Sequence, residues 1–178
     1  MPCGKTILVL GLGNRLLSDD AAGPLVIDRL SCSEQIGADV GVVLRDGGTM
    51  GLSLLPEIED CDGFIAVDAA SFGAEPGTVR VFEGADVDAL LGGTKKTAHE
   101  VALGDLLGAA ALNGAQPVYR ALVAVQPVTT ELGLEPTPAV AAAVPAMAEE
   151  VETVIRRWRA GAQAAEPNPR ERETEVAS

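Results

Sequence analysis

Apolar residues fall along this chain in short runs separated by polar, glycine-rich joints, and their period changes from one run to the next. Ile7 to Leu12 (ILVLGL) is an almost unbroken apolar run, the mark of a strand buried on both faces of a sheet. Gly11 and Gly13 allow a tight turn where it ends. Ser18 or Asp19 is then placed to cap a helix reaching about Leu30, with Ala22, Val26, Ile27 and Leu30 on its inward face. Val40 to Leu44 reads as a second strand. It closes on Arg45-Asp46-Gly47-Gly48-Thr49, a strand-to-helix turn in which Thr49 caps a helix through Leu55 and Ile58. Phe64 to Val67 is a third, short buried strand ending at Asp68. Gly77 to Phe82 alternates polar and apolar residues instead, which suits an antiparallel edge strand.

Gly84 to Lys96 reads as a loop with one helical turn near Val87 to Leu91. His99 lies in a loop ahead of a helix from about Glu100 to Leu112. Tyr119 to Val125 is the last strand. The long final helix runs from Pro138 to about Ala160, with Val144, Met147, Val151, Val154, Ile155 and Trp158 as its core stripe and Pro145 weakening its start. Strands alternating with helices predict a three-layer α/β/α fold around a twisted, mostly parallel sheet of about five strands, one edge strand antiparallel. We expect one domain over residues 1–161 and a polar, proline-broken, disordered tail over 162–178.

Composition narrows the function classes. The chain has 178 residues and a formal charge of −13, so it lacks the positive surplus that a nucleic-acid partner requires. Such a charge favours a neutral or basic partner. Aromatic residues make up only 3%, which leaves an aliphatic core. Cys3, Cys32 and Cys61 form no CxxC pair, and the first apolar run is too short for a membrane span or signal segment. Free thiols and a cytoplasmic monomer that does not bind a membrane are the expectation.

The glycine-rich turn after the first strand invites a dinucleotide reading, but Leu16 stands where the third glycine belongs. A pyrophosphate at this helix start would also meet Asp19 and Asp20. Nor does Gly92 to Thr97 match a phosphate loop, and no GxSxG elbow accompanies the histidine. Three polar residues fall at the carboxyl edge of the expected sheet: Asp20, Asp68 and His99, the only histidine. Two carboxylates and an imidazole suit a first-row divalent ion with open positions. Each also has a plainer role, since Asp20 suits a helix start, Asp68 a cap and His99 a cap or loop.

Taken in order, ILVLGLGN, the SDD of Ser18 to Asp20, DGGT at Asp46 to Thr49, AVDAA around Asp68, PGTVRVF, His99, VAVQP at Val123 to Pro127 and VETVIRRW form a connected series. In this respect the chain resembles the hydrogenase maturation endopeptidases, which trim the carboxyl-terminal extension from nickel–iron hydrogenase large-subunit precursors. The resemblance covers about Ile7 to Trp158. It implies that Asp20, Asp68 and His99 are metal ligands and that the partner is such a precursor. Nickel seated in the precursor would be what these ligands reach, although other divalent ions also suit the site. It further implies that peptide cleavage is driven by metal polarisation or by Asp20 or Asp68 as general base, an aspartic-type reaction. Asp46, Gly47, Gly48 and Thr49 would shape the substrate groove, or form a plain turn. Ala21 departs from the family pattern, where many relatives have glycine. Two alternatives remain: a non-enzymatic nickel-handling protein using the same ligands, and a same-fold protease acting on another precursor.

Overall fold

A computed structural model describes residues 6–48, 52–92 and 98–164, without the side chains of residues 98–102 and 162–164. Thr49, Gly93 to Thr97 and the expected tail from 165 onward lie outside the described residues. The strands are β1 (Ile7–Leu12), β2 (Val42–Gly48), β3 (Gly63–Ala69), β4 (Val79–Glu83) and β5 (Tyr119–Val125). They form one sheet in the order β2-β1-β3-β5-β4. Every neighbouring pair is parallel except β4 with β5, which places the alternating segment at an antiparallel edge as expected.

Both faces of the sheet are covered. On one face Ile7, Val9, Ile65, Val67, Ala121, Val123 and Val125 pack under α1 (Ala22–Ser31), α2 (Glu34–Ala38) and α6 (Pro138–Ala164). The residues between them, Leu8, Leu10, Phe64, Ala66, Leu122 and Ala124, pack on the other face under α3 (Leu55–Glu59), α4 (Ala85–Gly92) and α5 (Ala98–Leu112). Because strand side chains alternate with period two, strands buried on both sides read as nearly continuous apolar runs, which a buried polar residue such as Asp68 interrupts. β1 and β3 are buried throughout.

Several element boundaries differ from the sequence reading. β2 starts at Val42 and continues through Asp46, Gly47 and Gly48, so these three belong to the strand and not to a turn. Parallel pairing with β1 up to Leu12 supplies the backbone partners that make this extension favourable. β3 likewise extends to Ala69, placing Asp68 inside the strand. Gly84 to Lys96 contains a full helix, α4, whose Val87 and Leu91 are buried against the sheet. His99 lies in the first turn of α5, not in a loop ahead of it. Finally α6 runs on to Ala164 with Pro145 inside it.

One close approach locks α1 to the sheet. A Cβ on Gly23 would lie 2.2 Å from the Leu12 carbonyl oxygen and 2.4 Å from that of Val67. Both obstacles are backbone, so they cannot rotate away. We expect Gly23→Ala to destabilise the protein by at least about 3 kcal/mol, at the severe end for a single substitution. Urea unfolding at neutral pH measures this, and a loss under 1 kcal/mol would show that the helix can shift away from β1 and β3.

Candidate active site

The functional edge is built where β1 ends. Gly13 turns the chain with φ +131°, and a Cβ there would lie 1.8 Å from the Asp20 carbonyl oxygen. Only glycine allows the residues that follow to fold back this closely. Ser18 to Ala21 then form one turn of 3₁₀ helix before α1. Here the capping expectation is corrected. The residue preceding α1 is Ala21, and no side chain caps the helix. Ser18 and Asp19 face the loop after β5 instead. The Ser18 hydroxyl donates to the Glu131 carbonyl at 3.0 Å. Asp19 is fully buried and accepts from the amides of Val128 (2.8 Å), Thr129 (3.2 Å) and Thr137 (2.6 Å) and from the Thr137 hydroxyl (3.0 Å). Burial pushes the Asp19 carboxyl up, but these hydrogen bonds to its charged form outweigh that and hold it below 3.8.

The two neighbouring acids therefore divide their work. Asp19 ties down the chain between β5 and α6, while Asp20 turns the other way and accepts the Asn14 amide at 2.8 Å. Asp20 is buried beside the end of β1. Asp68, also buried, accepts the Ala69 amide at 2.8 Å. It is two residues from Ala66 and four from Phe64 along β3, so it lies on the same sheet face as they do, the one covered by α5. The register pairs Gly11 with Val67, which sets the exit of β1 level with Asp68.

His99 reaches the same edge through its backbone. α5 feeds β5 through a short connection at the amino edge of the sheet. Its 15 residues span roughly 22 Å, about the length of a seven-residue strand, so its first turn stands at the carboxyl edge. The fold thus carries the positions of Asp20, Asp68 and His99 to one edge. The His99 side chain lies outside the described residues. Among the described residues no three His, Cys, Asp or Glu side chains gather as a metal cluster.

The family model described as hydrogenase maturation protease matches residues 27–154. The chain is 36% identical over 161 residues to the hydrogenase expression/formation protein HupD of Rhodobacter capsulatus, covering 89% of this chain and 76% of that one. It is similarly 36% identical over 151 residues to the hydrogenase 2 maturation protease of Escherichia coli, covering 84% and 90%. The chain belongs to the hydrogenase maturation protease family. Its fold matches the solved hydrogenase maturating endopeptidase HybD of E. coli with a TM-score of 0.77 at 32% identity, covering 85% of this chain and 93% of that one. The chain is accordingly a peptidase, and among its described residues no helix is long and apolar enough to cross a membrane.

Two further side chains of this protease organise the edge. Gln126 Oε1 accepts the amides of Phe72 (2.9 Å), Gly73 (3.1 Å) and Ala74 (3.3 Å), which fixes the loop leaving Asp68. Arg15 donates to Asp28 at 2.7 and 2.9 Å and to Asp46 at 2.9 and 3.2 Å. The hydrogen bonds to Asp28 and then Asp46 raise the Arg15 pKa, and Arg15 in turn lowers that of Asp28. Asp46 also accepts the Gly48 amide at 3.0 Å. Of the expected groove residues, Gly47 is buried, and a Cβ there would lie 2.6 Å from Leu10 Cδ1. Gly48, with φ +48°, opens into free space.

Sequence reasoning missed Asp19, Gln126 and Arg15 as organising groups. A legible signal existed only for Asp19. An acid beside a candidate ligand, followed by an apolar helix, admits two orientations, and the cap was the wrong one.

Proposed function

We propose that this protease removes the carboxyl-terminal extension of a nickel–iron hydrogenase large-subunit precursor after nickel insertion, and that Asp20, Asp68 and His99 engage the nickel carried by that substrate. The observation carrying this reading is the convergence of two buried carboxylates, from the turn after β1 and from within β3, with the start of α5 at one sheet edge. Open α/β sheets bind their ligands at that edge. Three ligands leave a first-row ion incomplete, so the enzyme's set is satisfied only when the precursor contributes the rest. Specificity then depends on the nickel more than on the peptide sequence. Either nickel polarises the scissile carbonyl, or Asp20 or Asp68 acts as general base toward water. Asp46, Gly47 and Gly48 border the groove that receives the peptide, and the open side of Gly48 lets a backbone approach closely. We place the reaction in the cytoplasm, where Cys32 and Cys61 stay as free thiols.

A mass-spectrometric assay tests the reading. Incubation with nickel-loaded precursor is expected to release one carboxyl-terminal peptide, with no release from nickel-free precursor or by the His99→Ala variant. Cleavage indifferent to nickel and to His99 would overturn the nickel-engaging site, and absence of cleavage would overturn the substrate assignment.

A further inference from the structure

Four exposed aliphatic side chains surround the turn that carries Asp20. Leu16 is 53% exposed, Val128 56%, Leu132 84% and Leu134 76%. Backbone bonds hold their segments together. Gly133 N–H donates to the Leu16 carbonyl at 2.9 Å and Ser18 N–H to the Gly133 carbonyl at 2.8 Å, closing a parallel bridge between Leu17 and Gly133. Val128 N–H is bound to the Asp19 carboxylate, and Glu131 to the Ser18 hydroxyl. The leucines therefore stand on a pinned scaffold and cannot turn inward without breaking those bonds. Keeping them in water forgoes about 1.5–3 kcal/mol for each side chain that a partner would bury. A patch of this kind marks an interaction surface. By contrast Val40, Leu112 and Val118, also exposed, lie at the opposite edge, where β2 and β5 begin and α5 ends.

We propose that this surface docks the large-subunit precursor, taking an apolar, neutral-to-basic segment of it beside the bond presented to Asp20 and Asp68. The inference rests on the function proposed above and adds to it the place where the protein substrate is held. Two observations choose the occupant. Exposed Glu131 and Glu135 flank the two leucines in a chain of net charge −13, which repels an acidic partner and attracts a basic one. The patch is also continuous with the candidate active site, since Asp19 joins Val128 and Thr137 to the residue next to Asp20. A segment lying across the leucines leads directly to the carboxylates. Docking here supplies affinity for the polypeptide, while the nickel-engaging residues decide when it is cut.

The test is the double variant Leu132→Asp with Leu134→Asp, whose side chains already face water, so the melting temperature is expected to stay at the wild-type value. With nickel-loaded precursor, KM should rise tenfold or more while kcat stays within twofold. With nickel-free precursor, which is bound but not cut, calorimetric titration should show tenfold weaker binding. The paired variant Leu132→Met with Leu134→Met should behave as wild type in both assays. Unchanged KM and Kd in the aspartate variant would overturn the docking surface and leave the proposed cleavage standing. If the wild type cuts no precursor yet binds it, and the aspartates abolish that binding, the docking surface stands and the cleavage reading falls. No binding by the wild type overturns the surface. So does sedimentation of the free protein as a dimer that the aspartates dissociate, because a second copy would then be the occupant.

Discussion

Asp68→Asn is expected to fold and to lose about 10²–10⁴-fold in cleavage of the nickel-loaded precursor, the range set by removing a group that works on a proton in the reaction. The substitution is informative because asparagine matches aspartate in shape and keeps an oxygen for the Ala69 amide, which Asp68 accepts at 2.8 Å. What it removes is the charge, at a buried position inside β3. Measuring precursor-dependent nickel affinity alongside cleavage separates two roles. Lost cleavage with nickel affinity intact makes Asp68 the general base, whereas parallel loss of both makes it a ligand. Turnover within threefold of wild type would remove it from the chemistry and leave Asp20 and His99 to account for it. Asp20→Asn gives the matching comparison, since asparagine can still accept the Asn14 amide.

How far this edge could be read without a structure depended on the kind of signal each residue carries. Buried strands announce themselves, because an element covered on both faces reads as a nearly continuous apolar run, and β1 and the Ala121 to Val125 part of β5 run as the apolar pattern says. Strand ends are harder. Asp46, Gly47, Gly48 and Asp68 look like turn residues, yet all lie within strands because parallel neighbours extend far enough to satisfy their backbones. α4 was hidden for the opposite reason, since its short length and the glycines that bracket it resemble loop, while only Val87 and Leu91, with half-buried Leu90, carry its inward face. The positions of Asp20, Asp68 and His99 were legible once the motifs were taken in order, and the fold explains why residues so distant in sequence share an edge. Arg15 and Gln126 had no such signal. Their partners, Asp28, Asp46 and the Phe72 to Ala74 amides, meet them only through the tertiary fold. Arg15 spends its charge on exposed pairs, worth at most about 1 kcal/mol each.

Asp19→Ala is expected to cost about 3–5 kcal/mol of stability, a large share of the margin of a domain this size. The loss arises from the groups left behind. Three backbone amides and the Thr137 hydroxyl converge on one fully buried carboxylate, and alanine would leave those donors without an acceptor. Asp19→Asn should cost less at neutral pH, because one oxygen remains while the new NH₂ faces donors. The pH dependence follows from the lowered carboxyl pKa. A carboxylate held below its ordinary value contributes stability that is complete above 3.8, the value in the unfolded chain, and is lost as pH falls through the lower folded value. Urea unfolding of wild type and Asp19→Asn should therefore differ most near pH 7, and the difference should shrink as the pH is taken progressively below 3.8. A difference that stays constant across that range would mean that the carboxylate's charge is irrelevant to the clamp. The clamp also bears on activity. Releasing residues 128–137 from Asp19 frees both the turn that presents Asp20 and the loop that displays Leu132 and Leu134. Folded Asp19→Ala is accordingly expected to lose kcat and to raise KM together, whereas the leucine substitutions move KM alone.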